Sequence, residues 1–429
     1  MRRAAVALTG VIALTVMATA TLPVAAPRAD DLGVRAALLH TSGPLGTIEN
    51  GALLIRGGKI AAVGRAEEVA FPSGLRVLEA AVVTPGLIDA HGVTGLAGAY
   101  NVPADQDQDE RTGPNQAGLR AIDGFNPDEQ LLRWLLRHGV TALQAGPGEA
   151  NPIGGLAGVF KTHGGSLDEV LVRFPSALVF SLGEAPKTTY AADRKPPVTR
   201  MGTAALIRGA LLEASQYAVK RKQATGLRIP LLSGPKAEAP ERDLSKQALG
   251  RALRGEIPAL FTARREDDLE TALRIGREFG LRVVLADAVE AYLMADRIRE
   301  ADVPVLVGPV MERPGRHETI NHSFENAAIL QAAGIPIAFQ SGFESYVPKT
   351  RVVLFEAAVA VAYGLPDAAA LRALTIDSAR LLGVDDRLGS LEHGKDCDCV
   401  VFSGDPFDPA SRVLAVLVGG EVVYDASKK

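Results

Sequence analysis

Apolar residues along the chain fall into two regimes. At both ends they come in short runs punctuated by turn signals. Gly51–Gly64 is two apolar runs around Arg56-Gly57-Gly58-Lys59, which predicts a hairpin. The C-terminal end mirrors it, with strands at Cys399–Phe402 and Val413–Val418 and a turn at Gly419-Gly420 into Glu421–Tyr424. An isolated hairpin is marginal in water, so the two ends are expected to combine into one small β-sandwich, from 28–84 and 390–429.

Between them, 85–389 alternates apolar strands with amphipathic helices. The strands expected are Gly86–His91, Val140–Gln144, Gly158–Lys161, Ala177–Leu182, Ile257–Thr262, Arg282–Ala286, Val303–Val307 and Ile335–Gln340. Helices follow several of them, over Asp267–Phe279, Ala288–Arg299, Ser323–Ala333 and Arg351–Tyr363, with a last one from Asp367 to Leu382. Such alternation predicts parallel α/β architecture, and eight strands over this length fit a TIM barrel with its chemistry at the C-terminal strand ends. A doubly wound sheet is disfavoured because no GxGxxG follows the first strand. The proline-bearing stretch 221–242 reads as an exposed excursion.

The N-terminus adds an address. Met1-Arg2-Arg3 precedes an uncharged run to Pro27 containing Ala18-Thr19-Ala20 as a small-x-small cleavage site, so 1–27 reads as a signal peptide. Export to the periplasm is expected, with no membrane association after cleavage. A net charge of −4 and a pI near 6.0 give no electrostatic case for nucleic acid. Cys397 and Cys399, two apart, would face the same way on a strand and imply no disulfide framework. Asp105, Asp107, Asp109 and Glu110 alternate, but Glu110 and Gln116 stand where a calcium loop needs Gly and Glu, so a solvated acidic loop is expected. No phosphate loop or GxSxG elbow is present.

From about residue 34 onward the chain resembles the imidazolonepropionase-related branch of the amidohydrolase superfamily. The resemblance rests on GALLIRGGKIAAVG, TPGLIDAH, HGVTAL, LGEAPK with TRMGTAALIR, GEIPALF, VPVLVGP, AGIPIAF, the long stretch ALRALTIDSARLLGVDDRLGSLEHGKD, and VLVGGEVVYD. It implies a β-sandwich plus TIM barrel whose active members hydrolyse C–N bonds with one or two divalent metals, usually Zn²⁺. A bound metal lowers the pKa of water to about 7 and so supplies hydroxide.

Carried over position by position, the family pattern is depleted here. His91 stands after strand 1, but Val93 replaces its partner. Glu184 matches a carboxylate position after strand 4, with Lys161 at the close of strand 3 as its rival. After strand 5 the chain reads Thr262-Ala263-Arg264 in place of a histidine motif. Asp287 takes the histidine position after strand 6, and Ser341-Gly342 takes that of the catalytic Asp after strand 8. The cavity is therefore expected to hold His91, Lys161, Glu184, Arg264, Asp287 and His163, with Arg264 replacing the metal's charge and pairing with Glu184 or Asp287. His317, His322, Tyr100, Arg200, Tyr346 and Lys349 are further candidates near the mouth. His40, His138 and His393 read as structural.

The leading expectation is a non-catalytic homologue of C–N hydrolases that carries no cofactor. It would bind a small amide-like ligand, or act as a subunit beside an active amidohydrolase paralogue. The alternative is an active hydrolase with a mononuclear Zn²⁺ site on His91, Glu184 and Asp287, with Asp287 catalytic. Homodimerisation is implied by the resemblance alone.

Overall fold

The computed structural model describes residues 31–191, 195–225, 239–342 and 352–428. The expected signal peptide, Tyr346 and Lys349 lie outside them. Among the described residues no helix is long and apolar enough to cross a membrane.

Both chain ends build one seven-stranded sheet. Its strands are β1 (Leu32–His40), β2 (Thr47–Arg56), β3 (Lys59–Arg65), β4 (Arg76–Pro85) and, three hundred residues later, β13 (Cys399–Phe402), β14 (Val413–Val418) and β15 (Glu421–Asp425). The order is β15-β14-β13-β4-β1-β2-β3, and the seam between the two ends is the antiparallel β4–β13 pair, Thr84 opposite Val400. The sheet curls so that the β2–β3 turn meets the β14–β15 turn. A Cβ on Gly420 would lie 2.9 Å from the Gly58 Cα. One apolar core, including Leu53, Ile55, Val83, Val401 and Leu417, is enclosed by this curl. Cys397 and Cys399 are buried in it as free thiols.

The middle of the chain builds the eight-stranded barrel sheet. It runs in sequence order from β5 (Leu87–Gly92) and β6 (Val140–Ala145) through β7 (Ile153–Lys161), β8 (Leu171–Ser181), β9 (Ala259–Thr262), β10 (Val283–Ala286) and β11 (Val305–Val307) to β12 (Ile337–Phe339). A bridge between Gly92 and Gly342, with the Gly342 N–H donating to the His91 carbonyl at 3.0 Å, brings the last strand back to the first. Strands buried on both faces read as continuous apolar runs, and β5, β6 and β9–β12 are buried at every position. Small inward side chains fill the bore, among them Ala90, Ala157, Ala177, Ala286 and Ala338.

One expectation is corrected. The third strand does not run parallel to its neighbours: β7 is antiparallel to both β6 and β8. The connections 146–152 and 162–170 are too short for a parallel crossover, which takes about a dozen residues or more. The barrel is therefore entered by a β-meander before the β/α alternation resumes.

The helices follow ordinary end chemistry. Glu266–Phe279 opens with Glu266, Asp267 and Asp268 in its first turn and closes at Gly280, which is left-handed (φ 64°). The helix expected over Ala288–Arg299 is a 3₁₀ turn, Ala291–Met294, followed by a short α-helix, Ala295–Glu300.

Candidate functional site

The mouth of the barrel is set by the C-terminal ends of the parallel strands and by the β6–β7 turn. β5 delivers Asp89 and His91. The Asp89 Oδ1 accepts from the Ser341 N–H at 2.9 Å and the His91 N–H at 3.3 Å, which ties the first strand to the last. Burial pushes the Asp89 carboxyl up to about 7, with the Ser341 and His91 hydrogen bonds pulling the other way. The His91 ring is 5% exposed, and burial takes its imidazole down to about 4, so it is neutral at pH 7. Its Nδ1 has no hydrogen-bond partner. Val93, two residues on, is buried.

Arg264, two residues past the end of β9, reaches into the centre. Its Nη1 lies 2.5 Å from Glu149 Oε2, its Nη2 3.2 Å from Asp287 Oδ2, and Glu318 Oε2 is 4.0 Å away. Burial opposes the guanidinium's charge, yet attraction from Glu149, Asp287 and Glu312 outweighs it and holds the group protonated.

Asp287 follows β10 with φ 53°, a left-handed conformation that Asp tolerates better than most residues. Its Oδ1 accepts from the Gln340 amide, which also donates to the Gly308 carbonyl at 3.0 Å. Burial pushes the carboxyl up to about 8, against the pull of Arg264. Gly342, the residue at the strand-8 carboxylate position, is explained by this contact. A Cβ there would come 2.8 Å from Asp287 Oδ1, and its φ of 65° already favours glycine. Asp287 thus fills space that a side chain from residue 342 would otherwise enter.

A second guanidinium extends the cluster. Glu318, in the loop after β11, accepts from the Glu184 backbone N–H at 2.6 Å and from Arg200 Nη2 at 3.1 Å. Arg200 Nε also lies 2.9 Å from Asp268 Oδ2. Burial raises Glu318 to about 7, with Arg264 lowering it.

The structure thus brings His91, Arg264 and Asp287 together at the mouth, and Glu184 beside them through its backbone. Of the two partners expected for Arg264, Asp287 is confirmed. Glu149 and Glu318 supply the other carboxylates in place of Glu184. Lys161 and His163 are corrected. Because β7 is reversed, Lys161 pairs with Ala142 near the start of β6, at the opposite end of the barrel. There its ammonium lies 3.0 Å from both Asp396 and Asp398, and His163 is exposed close by.

On the rim, Arg265 Nη1 lies 2.7 Å from His317 Nδ1, and the His322 ring packs edge-on against Phe324 at 5.1 Å. The Tyr100 hydroxyl accepts from Gln130 at 2.7 Å. The acidic loop is less solvated than expected: Asp105 accepts the Tyr100 and Val102 N–H groups at 2.7 and 2.9 Å, and Asp109 accepts that of Ala150 at 3.1 Å. Burial takes Asp109 up to about 6. Among the described residues, no three His, Cys, Asp or Glu side chains are grouped as a metal site would require.

A barrel of eight strands with a flanking sheet from both chain ends, and a mouth of titratable groups at the strand ends, is the build of a TIM-type α/β barrel with its candidate site at the mouth. The amidohydrolase of Thermotoga maritima MSB8 superposes on it with a TM-score of 0.84 at 32% identity, covering 92% of this chain and 100% of that one. The chain belongs to the amidohydrolase family. The family's sequence model matches residues 357–424. Amidohydrolase tasK of Hapsidospora irregularis is 26% identical over 358 residues, 80% of this chain and 36% of that protein. The imidazolonepropionase of Thermoplasma volcanium is 27% identical over 117 residues, 26% of this chain and 29% of that protein. The chain thus spans about a third of the length of the curated relatives it matches.

Proposed function

We propose that this chain is an exported, non-catalytic member of the amidohydrolase family, which binds a small amide-like ligand at its barrel mouth or serves as a subunit beside an active paralogue. The observation that carries this reading is the buried Arg264 guanidinium held between Glu149 and Asp287. Family membership implies a divalent metal, and a catalytic zinc takes about three protein donors and one open position. The residues present do not fit one. Asp287 offers one oxygen to Arg264 and the other to the Gln340 amide. Val93 has no lone pair to give, and Glu184 enters the cluster through its backbone N–H. A fixed guanidinium in the same space repels a divalent ion while satisfying the carboxylates that would otherwise bind it.

His91 Nδ1 and Gln340 Oε1 are buried without protein partners. Gln340 Oε1 accepts, and His91 Nδ1 accepts in the Nε2–H tautomer and donates in the other, so the N–H and C=O groups of an amide could engage them. The test is metal content measured on the same purified sample as a panel of cyclic-amide and dipeptide-like substrates. Substoichiometric metal and no turnover are expected. Stoichiometric zinc or manganese with turnover that His91→Ala abolishes would establish the active mononuclear reading on His91, Glu184 and Asp287 instead.

A further inference from the structure

Along one flank of the barrel the outer helices set cations beside carboxylates. Arg208 pairs with Glu278 at 2.7 Å, Arg277 with Glu270 at 3.5 Å, and Arg297 reaches Glu266 and Glu270 at 3.3 and 3.5 Å. The groove between the helices Arg200–Thr225 and Leu244–Leu253 is built differently. It opens into a depression of about 600 Å³ whose wall, among the described residues, carries Arg221, Arg242, Lys246, Arg251 and Arg254 against the single carboxylate of Glu256. The chain as a whole has a net charge of −4, so this gathering of cations is local. Like charges set side by side on helix faces cost stability, and a ligand of opposite charge relieves that cost.

The sequence shapes this wall from both helices. Lys246, Gly250 and Arg254 recur every four residues, which lines them along one face of the second helix and its C-cap. A Cβ on Gly250 would lie 3.1 Å from Arg254 Nη1, so a larger residue there would crowd the guanidinium. On the facing helix Tyr217 and Arg221 stand one turn apart. The hydroxyl of the buried Tyr217 accepts from Arg221 Nη1 at 3.1 Å, the Asp243 N–H at 3.3 Å and the Gln247 amide at 3.4 Å, which ties the two helices together. The Arg221 guanidinium also lies 5.8 Å from the Tyr217 ring centroid. A wall held in this way pays little ordering cost when a ligand arrives.

Lys246 turns to Asp243 at 3.1 Å and Glu213 at 3.8 Å. Arg251 and Arg254 both engage Glu256 through Nε, at 3.3 and 2.7 Å, so two guanidiniums hold one carboxylate between them. Guanidinium forks match phosphate oxygens bidentately. A phosphate monoester carries a charge of about −1.5 to −2 at pH 7 and three strong acceptor oxygens, so it can meet several forks at once. The depression has the volume of a small-molecule site, which leaves room for the organic part of an ester.

We propose that this depression binds a phosphate monoester. Arg242, Arg251 and Arg254 take the phosphate, and Tyr217 positions Arg221 on the facing wall. The site lies on the outer helices, away from Arg264, and is independent of what the mouth binds.

Isothermal titration calorimetry on the full purified chain at low ionic strength tests it, with glycerol 3-phosphate as the soluble probe and acetate as the control anion. Glycerol 3-phosphate should bind stoichiometrically and about tenfold or more tighter than acetate. Arg242→Gln combined with Arg254→Gln should weaken it by about tenfold or more. Both side chains are exposed, so an unchanged unfolding temperature without the probe shows that the fold is kept. Tyr217→Phe keeps every charge and releases Arg221, and it should weaken binding severalfold; it decides the case in which the double variant fails to fold. Cosedimentation with phosphatidate vesicles separates the two sources of this chemistry, since binding to vesicles alone would assign the same phosphate head on a lipid. Binding to neither probe, acetate binding as tightly as the ester, or affinity unchanged in a folded variant of either kind would overturn the proposal.

Discussion

The barrel carries a buried charge cluster at each end, and the two are built to opposite balances. At the foot, Lys161 sits between Asp396 and Asp398, and Lys59 and Arg387 also pair with Asp396, so three cations serve two carboxylates. Asp396 loses solvation on burial, but these partners outweigh that and hold it down to about 2. At the mouth, among the described residues, Arg264 and Arg200 serve Glu149, Asp287, Glu318 and Asp268, so two cations serve four carboxylates there. There burial wins, and Asp287 and Glu318 are pushed up to about 8 and about 7. The foot joins barrel to sheet, with the Gly419 N–H donating to Asp398 at 2.6 Å and the Gly86 N–H to the Asp398 carbonyl at 2.8 Å. Its balance is that of a structural fastener. Among the described residues the mouth keeps more carboxylates than cations and lets burial raise their pKa values, a pattern that clusters at sites where a ligand is met.

The comparison is broken most directly by removing a foot cation. Lys161→Met leaves two buried aspartates short of their shared partner, and breaking a buried pair from one side costs about 3–5 kcal/mol. Thermal unfolding at pH 7 should show the loss. A change near zero would mean that the foot does not fasten the two parts.

The same reversal of β7 decides what could be read from the chain. All eight strands were legible as apolar runs, and His91, Arg264 and Asp287 were legible because the family resemblance assigns its site residues to the ends of those runs. An apolar run carries no direction, however, so β7 was assigned parallel and Lys161 was placed at the wrong end. The signal was present in the connection lengths, since neither 146–152 nor 162–170 has room for a crossover. The shortness of 146–152 also places Glu149 at the mouth, so reading it would have found the principal partner of Arg264. Glu318 is a different case. It lies in the long irregular connection after β11, and no local pattern ties that segment to Glu184, 134 residues away.

A subtler difference follows at the mouth. Glu318 has a raised folded pKa, so the folded state binds its proton more tightly than the unfolded chain does. Stability should therefore fall as pH rises from the ordinary Glu value through about 7, and level off above it. Glu318→Gln keeps an acceptor for the Glu184 and Arg200 donors and removes the titration. It should flatten that slope by on the order of 2 kcal/mol and be no less stable than wild type at pH 8. Unfolding temperatures measured from pH 5 to 8 check this. An amide that destabilises at pH 8 would show that the mouth carboxylates are held like those at the foot.

The smallest effect belongs to Asp396, whose sign is the reverse. Its depressed pKa means that the folded state holds the proton more weakly than the unfolded chain, so its contribution is complete above about pH 4 and disappears as pH falls toward 2. Two of its three cations, Lys59 and Arg387, stand about half in solvent, which discounts the contribution to about 1 kcal/mol. Asp396→Asn should therefore be less stable than wild type by about that amount at pH 6. The two should converge in acid, because the wild-type carboxyl is by then protonated and as neutral as the amide. Denaturant unfolding at pH 6 and at the lowest pH where the fold persists measures the gap at each end. A gap that stays constant across the range would locate the loss in packing rather than charge, and the foot would then differ from the mouth in shape but not in electrostatic balance.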